Sequence, residues 1–274
     1  MNFEDLRYEK TAAVARISFN RPDRRNALGD GTTRHLLQLC EDAEADSGIR
    51  VLVIRGEGDA FCSGGDIEDT FVRGADKTAE QWADRIRTGP NQLTLHLRRM
   101  SKPVIACING LAVGGGATIA LACDLRIASD RAQFMLPFSR MGITPEFGCS
   151  HLLPRVVGLA RAMELLMLGE MIDAPTAHAM GLVNRVVPHH TLDPTTESIV
   201  QRLLQQPPGA LAAMKDLVLQ GLSLDLDQQL EREAVALGKA FTSVEHRQAV
   251  EAFLARRKSK HASIEPTPSA GKDA

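Results

Sequence analysis

The sequence predicts an α/β fold followed by a separate helical part. Up to residue 205, short apolar runs rich in β-branched side chains alternate with segments whose apolar residues recur at helical spacing. This alternation is typical of domains in which helices are layered on a sheet. After the Pro207-Pro208 break the pattern is helical only, which indicates a second structural unit.

The first hundred residues supply two buried strands and a helix between them. Val14–Phe19 and Val51–Ile54 are short apolar runs that predict strands, and Thr32–Glu44 has the spacing of an amphipathic helix. The loop FCSGGD at residues 61–66 consists mostly of small residues. Thr70–Gly89 is polar and irregular, and we interpret it either as a mobile cover over a site or as a plain surface excursion.

The middle of the chain holds the most informative stretch, from Lys102 to Pro154. Val104–Ile108 predicts a buried strand, Asn109-Gly110 a turn, and Ala117–Ala122 a helix of small residues. Three glycines, Gly114 to Gly116, precede that helix, where backbone N–H groups stay exposed and a ligand can come close. We interpret this turn as an oxygen-binding site and Glu146, the lone carboxylate of TPEFG, as a proton carrier.

Short elements continue after this stretch and give way to helices. They are predicted at Ala160–Leu168 (helix), Asp173–Met180 (helix), Val183–Val187 (strand), Thr191–Gln205 (helix), and then Leu211–Gly221, Leu226–Leu237 and Val244–Arg257 (all helices). Leu226, Leu230, Ala234 and Leu237 form an apolar stripe of the kind that packs against another subunit. We therefore expect a core of residues 1–205, a helical oligomerisation part of residues 206–257 and a disordered tail of residues 258–274.

The composition argues against several functional classes. Thirty-two basic and 34 acidic residues give a formal charge of −2, which does not favour nucleic acid as a partner. Five scattered cysteines without a CxxC pair are typical of free thiols in a reducing compartment, and the start MNFEDLRYEK is too charged for a signal peptide. No apolar run approaches the ~20 residues of a membrane span. We expect a cytoplasmic protein without a membrane partner.

Motifs for resident cofactors are missing from the sequence. No His, Cys and Asp cluster has metal-ligand spacing, and the glycines of LAVGGGATIA do not form the dinucleotide fingerprint G-x-G-x-x-G. We therefore predict neither a metal ion nor a nucleotide cofactor.

Three motifs together resemble the crotonase family, also called the enoyl-CoA hydratase/isomerase family. They are FCSGGDI (61–67), KPVIACINGLAVGGG (102–116) and GLVNRVV (181–187). The resemblance, which runs from about Val14 to about Arg257, implies a spiral of ββα units with a helical C-terminal part. It also implies an acyl-CoA thioester substrate, with coenzyme A present only as part of that substrate, and assembly as a homotrimer or a dimer of trimers.

By this resemblance, the backbone N–H groups of Gly65 and Gly115 hold the oxygen of an enolate. Losing one such donor typically costs ~10²–10³ in rate. The positions that match the substrate-binding residues of the family are Arg25, Ala27, Ser63, Gly64, Asp66, Ile67, Val113, Gly116, Pro137, Phe138 and Met141. Arg25 would meet phosphate charge, although a single arginine in a charged loop is more often solvated. Phe253 and Arg256 match a tail segment that reaches a neighbour's CoA, and helix packing is an equal alternative.

Departures from the hydratase pattern point to a different reaction. Hydratases of the family position a water molecule with two glutamates, and the matching positions here are Thr118 and Phe138. Glu146 remains, in a segment PFSRMGITPE that resembles the Δ3,Δ2-enoyl-CoA isomerases of peroxisomal type, in which one acid shuttles the proton. Partial desolvation of Glu146 would raise its pKa and suit reversible proton transfer.

The sequence thus predicts an enoyl-CoA isomerase with Glu146, Gly65 and Gly115 as its catalytic groups. Two alternatives stay open. One is an enoyl-CoA hydratase, a lyase, in which Glu146 would have to replace two missing glutamates. The other is a non-catalytic acyl-CoA-binding homologue that kept the pocket.

Overall fold

Two sheets organise the computed structural model, which describes residues 3–262 and their side chains except at positions 71, 256 and 258–262. The large sheet has the strand order β1 (Leu6–Thr11), β2 (Val14–Phe19), β3 (Val51–Gly56), β5 (Val104–Ile108), β7 (Leu125–Ser129), β10 (Arg185–Val187). The small sheet has the order β4 (Ala60–Cys62), β6 (Leu111–Val113), β8 (Gln133–Met135), β9 (Met171–Asp173). Neighbouring strands are parallel except at the pairs β1–β2 and β8–β9.

Helices follow and separate these strands along the described chain. They are α1 (Thr32–Ala45), α2 (Ala79–Thr88), α3 (Pro90–Arg99), α4 (Gly115–Ala122), α5 (Cys149–Val157), α6 (Leu159–Leu168), α7 (Ala174–Ala179), α8 (Leu192–Leu204), α9 (Pro208–Gly221), α10 (Leu226–Thr242) and α11 (Val244–Ala262). None of these helices is both long enough and apolar enough to span a bilayer.

A ββα unit repeats along the chain and winds it into a spiral. The first strand of each unit, β3, β5 or β7, joins the large sheet, and the next strand, β4, β6 or β8, joins the small one. Helices α2 and α3, then α4, then α5 carry the chain back to the start of a new unit. This architecture confirms the predicted α/β fold with ββα units and a helical C-terminal part.

Helices cover both faces of the large sheet because its central strands are apolar on both sides. Leu52 and Ile54 of β3 point into the main core, which they share with buried residues of α1, α3 and α4. Val51 and Val53 of the same strand point the other way and pack against α8, for example at Val200. All eight residues of α4 are buried, so a helix made of glycine, alanine and a few larger side chains lies in the middle of the molecule.

The strands predicted at Val14–Phe19 and Val104–Ile108 are found with these bounds. Strand β1 and the short strands of the small sheet were not anticipated. Three-residue strands are too short to show an alternation, and β1 is mostly exposed with a polar sequence.

The stretch at Thr70–Gly89 is more regular than its composition suggests, because it contains α2. Thr78 forms a capping box at the start of that helix: its hydroxyl accepts from the Gln81 N–H at 3.3 Å, and the Gln81 side chain accepts from the Thr78 N–H at 2.8 Å.

The described residues divide into two compact units between Gln206 and Pro207. The second unit consists of α9, α10 and α11. Helix α11 continues to Ala262, so the disordered tail predicted from Lys258 begins too early: RKSKHA contains helix-forming residues and neither glycine nor proline. The rest of the predicted tail, 263–274, lies outside the described residues.

Candidate active site

Two glycine-containing loops are packed against each other, one after β4 and one at the start of α4. A methyl group built on Gly64 would lie 2.8 Å from the carbonyl oxygen of Val113 and 3.6 Å from the backbone nitrogen of Gly115. One built on Gly116 would lie 2.3 Å from the carbonyl oxygen of Cys62. Each loop therefore occupies the space that a side chain on the other would need.

Backbone N–H groups of both loops remain available at this contact. Leu28 pairs in parallel with the first loop: its N–H donates to the Gly64 oxygen at 2.8 Å, and its oxygen accepts from the Asp66 N–H at 3.0 Å. The N–H of Gly65, which lies between them, consequently points away from Leu28. Gly115 is the first residue of α4, where backbone donors have no partner within the helix and the helix dipole is positive.

Buried polar side chains hold the first loop in place. Asn26 is 1% exposed, and its side-chain nitrogen donates to the Ala60 oxygen at 2.7 Å. Asp66 is 5% exposed and accepts from Nη2 of Arg21 at 2.9 Å, while Nη1 of Arg21 donates to the Ala27 oxygen at 2.9 Å. The Asp66 carboxylate is thus engaged within the chain, and any contact of this residue with a substrate would have to come from its backbone.

The other predicted substrate-binding residues separate into two groups. Four lie at or near the surface beside the first loop, namely Arg25, Ala27, Ser63 and Ile67. Three lie on the segment before Glu146, namely Pro137, Phe138 and Met141. Phe138 is 3% exposed because its ring packs into the main core, whereas Met141 is 48% exposed. None of these three residues lines the cavity beside Glu146.

The carboxylate of Glu146 lies beside the second glycine loop. A methyl group built on Gly115 would lie 3.2 Å from Oε1 of Glu146 and 2.9 Å from the ring of Phe147. The Thr94 hydroxyl donates to the Phe147 oxygen at 2.9 Å, and the Cys149 N–H donates to the Glu146 oxygen at 2.9 Å. Phe147 has a φ of 52°, which is rare for a bulky residue, so the surrounding contacts hold this turn in a strained conformation.

Burial sets the acidity of this carboxyl group. Desolvation raises the pKa of Glu146 above its usual value, and the positive charge of Arg85 acts in the opposite direction. A carboxylate with a raised pKa is a stronger base than an ordinary surface glutamate, and it can also return a proton more readily near neutral pH.

Thr118 stands at the position of the first hydratase glutamate and is fully buried. Its hydroxyl donates to the Gly114 oxygen at 3.0 Å, within the first turn of α4. With Phe138 in the core, neither of the two matching positions presents a carboxylate.

A cavity of about 820 Å³ opens beside Glu146 and Gly65, and both residues line it. Its other charged or aromatic lining residues are Asp30, Arg34, Trp82, Arg85 and Phe147. Helix α2 turns one face towards this space, with Trp82, Arg85 and Ile86 at positions three and four residues apart.

Asp30, Arg34, Trp82 and Arg85 were not among the site residues predicted from the sequence. Asp30 and Arg85 are 55 positions apart, and their ion pair brings them together only in the fold. The only sequence signal for this face was the helical spacing of Trp82, Arg85 and Ile86 within a polar segment. The same spacing is also typical of an ordinary surface helix.

Cysteines near the site are poor nucleophiles, and the described residues offer no metal centre. All five cysteines are buried and free, and burial raises the pKa of Cys62 to about 12 and that of Cys149 to about 11. Between residues 3 and 262, no group of three His, Cys, Asp or Glu side chains is placed to hold a metal ion. The Glu146 carboxylate next to two backbone donors is suited to acid–base chemistry.

Comparisons with known proteins agree with this geometry. A sequence model described as enoyl-CoA hydratase/isomerase matches residues 9–263. The 1,2-epoxyphenylacetyl-CoA isomerase of Escherichia coli (strain K12) is 37% identical over 246 residues, 89% of this chain and 93% of that protein. The short-chain-enoyl-CoA hydratase of Clostridium acetobutylicum is 34% identical over 263 residues, 94% of this chain and 97% of that protein. The crystal structure of an enoyl-CoA hydratase from Polaromonas sp. JS666 superposes with a TM-score of 0.87 at 32% identity, covering 92% and 97% of the two chains.

Proposed function

Because the chain belongs to the enoyl-CoA hydratase/isomerase family, we propose that it is an enoyl-CoA isomerase that moves a double bond from position 3 to position 2 of an acyl-CoA thioester. One observation carries the proposal: the carboxylate of Glu146 lies beside Gly115, while Thr118 and Phe138 leave both hydratase positions without a carboxylate. The relatives named above include an isomerase and a hydratase, so the Δ3,Δ2 specificity and the branch of peroxisomal type stay predictions.

The reaction needs one group that accepts and returns a proton. The Glu146 carboxylate removes a proton from C2, the C2–H electron pair moves towards the thioester, and negative charge builds on its oxygen. The N–H groups of Gly65 and Gly115 donate hydrogen bonds to that oxygen. The electrons of the dienolate then return through C3 to C4, C4 takes the proton from Glu146, and the double bond lies between C2 and C3.

A second carboxylate lines the cavity but is unsuited to this role. Asp30 forms an ion pair with Arg85, and this hydrogen bond lowers the pKa of the Asp30 carboxyl. A carboxylate with a lowered pKa is a weak base, and the Asp30 carboxylate is already hydrogen-bonded to the Arg85 guanidinium. The opposite directions of the two pKa shifts support Glu146, rather than Asp30, as the group that transfers the proton.

The CoA part of the substrate would lie along the first loop. Arg25 is exposed there, and a guanidinium is suited to phosphate oxygens. Ala27, Ser63 and Ile67 would border the pantetheine. A homotrimer or a dimer of trimers and a cytoplasmic location belong to the same proposal, and neither nucleic acid nor a membrane is needed as a partner.

Replacing Glu146 by glutamine tests the proposed function. The Glu146→Gln variant keeps the size and hydrogen-bonding capacity of the side chain but removes the base. Isomerisation of (E)-3-hexenoyl-CoA, followed as a gain of conjugated enoyl absorbance, should fall by about 10²–10⁴. The matched control is Glu68→Gln, since Glu68 also follows a glycine loop but its side chain is 65% exposed. Near-wild-type turnover in Glu146→Gln would rule out this mechanism, and absence of turnover in the wild type would favour a binding role.

Hydration is the second candidate function, since several relatives are named as hydratases. Efficient hydration depends on carboxylates that order a water molecule, and the two matching positions here are Thr118 and Phe138. We expect crotonyl-CoA to be hydrated very slowly, as measured by loss of the conjugated absorbance. Turnover of roughly 10 s⁻¹ or more, typical of an efficient enzyme, would place hydratase ahead of isomerase.

A further inference from the structure

The cavity beside Glu146 has a polar end that the proposed isomerisation does not use. Asp30, which lies just before α1, and Arg34 on α1 line it from one side. Trp82 and Arg85 line it from α2. A pocket built only for a hydrocarbon chain would carry apolar side chains here, since an acyl chain that covers a charged group removes its water without replacing the lost hydrogen bonds.

Arg85 is fixed in position rather than free in solvent. Its Nη1 donates to Oδ1 of Asp30 at 2.5 Å, and its guanidinium carbon lies 5.8 Å from the centroid of the Trp82 ring. The side chain is 30% exposed, so most of it is held against the protein. An arginine has five N–H donors, and one hydrogen bond to Asp30 leaves donors that a ligand in the cavity can reach.

The charged residues that line the cavity are balanced, since the acidic side chains of Asp30 and Glu146 are matched by the basic side chains of Arg34 and Arg85. The carboxylate of Asp30 is influenced by Arg85, Arg34 and Lys77 together, and Nζ of Lys77 lies 5.6 Å from the centroid of the Trp82 ring. A part of the acyl group that enters here is stabilised if it accepts hydrogen bonds from the arginine side chains. An apolar part would displace water from a guanidinium group without replacing its hydrogen bonds, which is unfavourable.

The acyl group of the substrate must extend towards this end. Glu146 has to contact both C2 and C4, so these carbons lie against its carboxylate, and the part of the acyl chain beyond C4 continues into the 820 Å³ cavity. This volume suits an acyl group larger than a short straight chain, because small-molecule pockets of about 300–1,000 Å³ bury whole drug-sized ligands.

We propose that Arg85 is a specificity-determining residue, an inference that rests on the proposed isomerase function. Arg85 selects acyl groups that carry a neutral oxygen acceptor beyond C4, such as an ether, hydroxyl or carbonyl. Its remaining N–H groups donate to that oxygen, while Asp30 and Trp82 keep the guanidinium in place. A neutral acceptor fits better than a carboxylate, because Asp30 and Glu146 already place two acidic groups on the same cavity.

A matched set of substrates tests the proposal. The set is (E)-3-octenoyl-CoA and its 6-oxa and 7-oxa analogues, which differ only by replacing one CH₂ with oxygen. The measured quantity is the ratio of kcat/KM for the better ether to that for the hydrocarbon. We expect about 10- to 100-fold in the wild type, the range of a hydrogen bond to a charged group. In Arg85→Met the ratio should fall to about one.

Arg87→Met is the matched control, because Arg87 lies on the same helix but pairs with Glu80 and Asp84 on its exposed side. Its ratio should equal that of the wild type. Using a ratio also removes the effect of Arg85 on the acidity of Glu146, which acts on both substrates alike. Asp30→Asn provides a second variant that keeps Arg85 but loosens it, and the ratio should then fall part of the way.

The outcomes separate this inference from the proposed function. If the wild type isomerises both substrates efficiently with a ratio near one, the role of Arg85 is wrong while the isomerase function stands. If it isomerises neither substrate, the proposed function itself fails. A fourth substrate, (E)-3-octenedioyl-CoA, ends in a carboxylate, and a tenfold preference for it over both ethers would overturn the assignment of a neutral oxygen.

Discussion

Glu146 combines a functional position with a structural cost. Its carboxyl is largely withdrawn from water beside Gly115, and burial raises its pKa. Such a group favours the folded state most when it is protonated, below the unfolded-state value near 4.5, and this contribution is lost as the pH rises through the raised folded-state pKa. At neutral or higher pH, the ionised carboxylate therefore destabilises the fold relative to a neutral side chain.

The Glu146→Gln substitution should change the free energy of unfolding in a pH-dependent way. The variant stays neutral, so its free energy of unfolding should exceed that of the wild type at pH 8, on the order of 1 kcal/mol. The difference should shrink as the pH falls towards 4.5. Urea denaturation at both pH values and a fixed protein concentration measures it. A wild type that is the more stable protein at pH 8 would contradict the account of a desolvated base.

The site residues could be predicted from the sequence only where they belong to contiguous motifs. Gly65, Gly115 and Glu146 lie in recognisable segments, and the structure brings them together. Phe138 is different: it matches a substrate-binding position of the family, but its side chain packs into the core. Arg85 was missed, because its significance depends on a partner distant along the chain, Asp30.

Helix α4 is the element on which the site depends. Because all its residues are buried, the position of its first N–H group is fixed by the packing of the whole core. The glycines at its start leave room for the Glu146 carboxylate and for the first loop. A small-residue sequence is therefore needed both for the helix to enter the core and for a substrate to reach its end.

Replacing Gly115 by alanine tests this requirement. The new methyl group would lie 3.2 Å from Oε1 of Glu146 and 2.9 Å from the Phe147 ring, so the carboxylate has to move. We expect turnover of 3-hexenoyl-CoA to fall by about 10- to 100-fold, as for small misplacements of catalytic groups. Gly238→Ala is the control, because nothing lies within 4 Å of its added methyl group in α10. Unchanged kcat in Gly115→Ala would show that the contact is not part of the machinery.

Elements were predictable in proportion to their length and burial. The buried strand Val104–Ile108 and the amphipathic helix α1 carry clear periodic patterns. Strands of three residues, such as β6, carry no period, and their place follows from pairing with neighbours that are distant in sequence. Helix α2 was hidden by its polar sequence, since it covers a cavity and has no fully buried residue.

Across the whole molecule, many large apolar side chains of the described residues are exposed. In α10 alone, the large apolar side chains that are at least half exposed are Leu226, Leu230, Val235, Leu237 and Phe241. Most of them continue the stripe that predicted subunit packing from the sequence. Oligomerisation would remove this surface from water.

Sedimentation equilibrium tests assembly directly. We expect a species with three times, or six times, the mass of the 29.8 kDa chain at micromolar concentration. The Leu230→Asp variant should shift the population towards smaller species, because it places a charge in the apolar stripe. A wild type that is monomeric under these conditions would make the predicted trimer wrong.

The central claim is that one carboxylate carries the proton from C2 to C4, and isotope transfer tests it most directly. The substrate is 3-hexenoyl-CoA with both C2 hydrogens replaced by deuterium, converted in ordinary water under single-turnover conditions. Because Glu146 is partly buried and a bound substrate covers its side of the cavity, part of the removed deuterium should return from the same carboxyl group. We predict product molecules with deuterium at C4, detected by mass spectrometry and NMR. Product that carries only solvent hydrogen at the new C4 position, at every pH and temperature tried, would contradict the single-carboxylate mechanism.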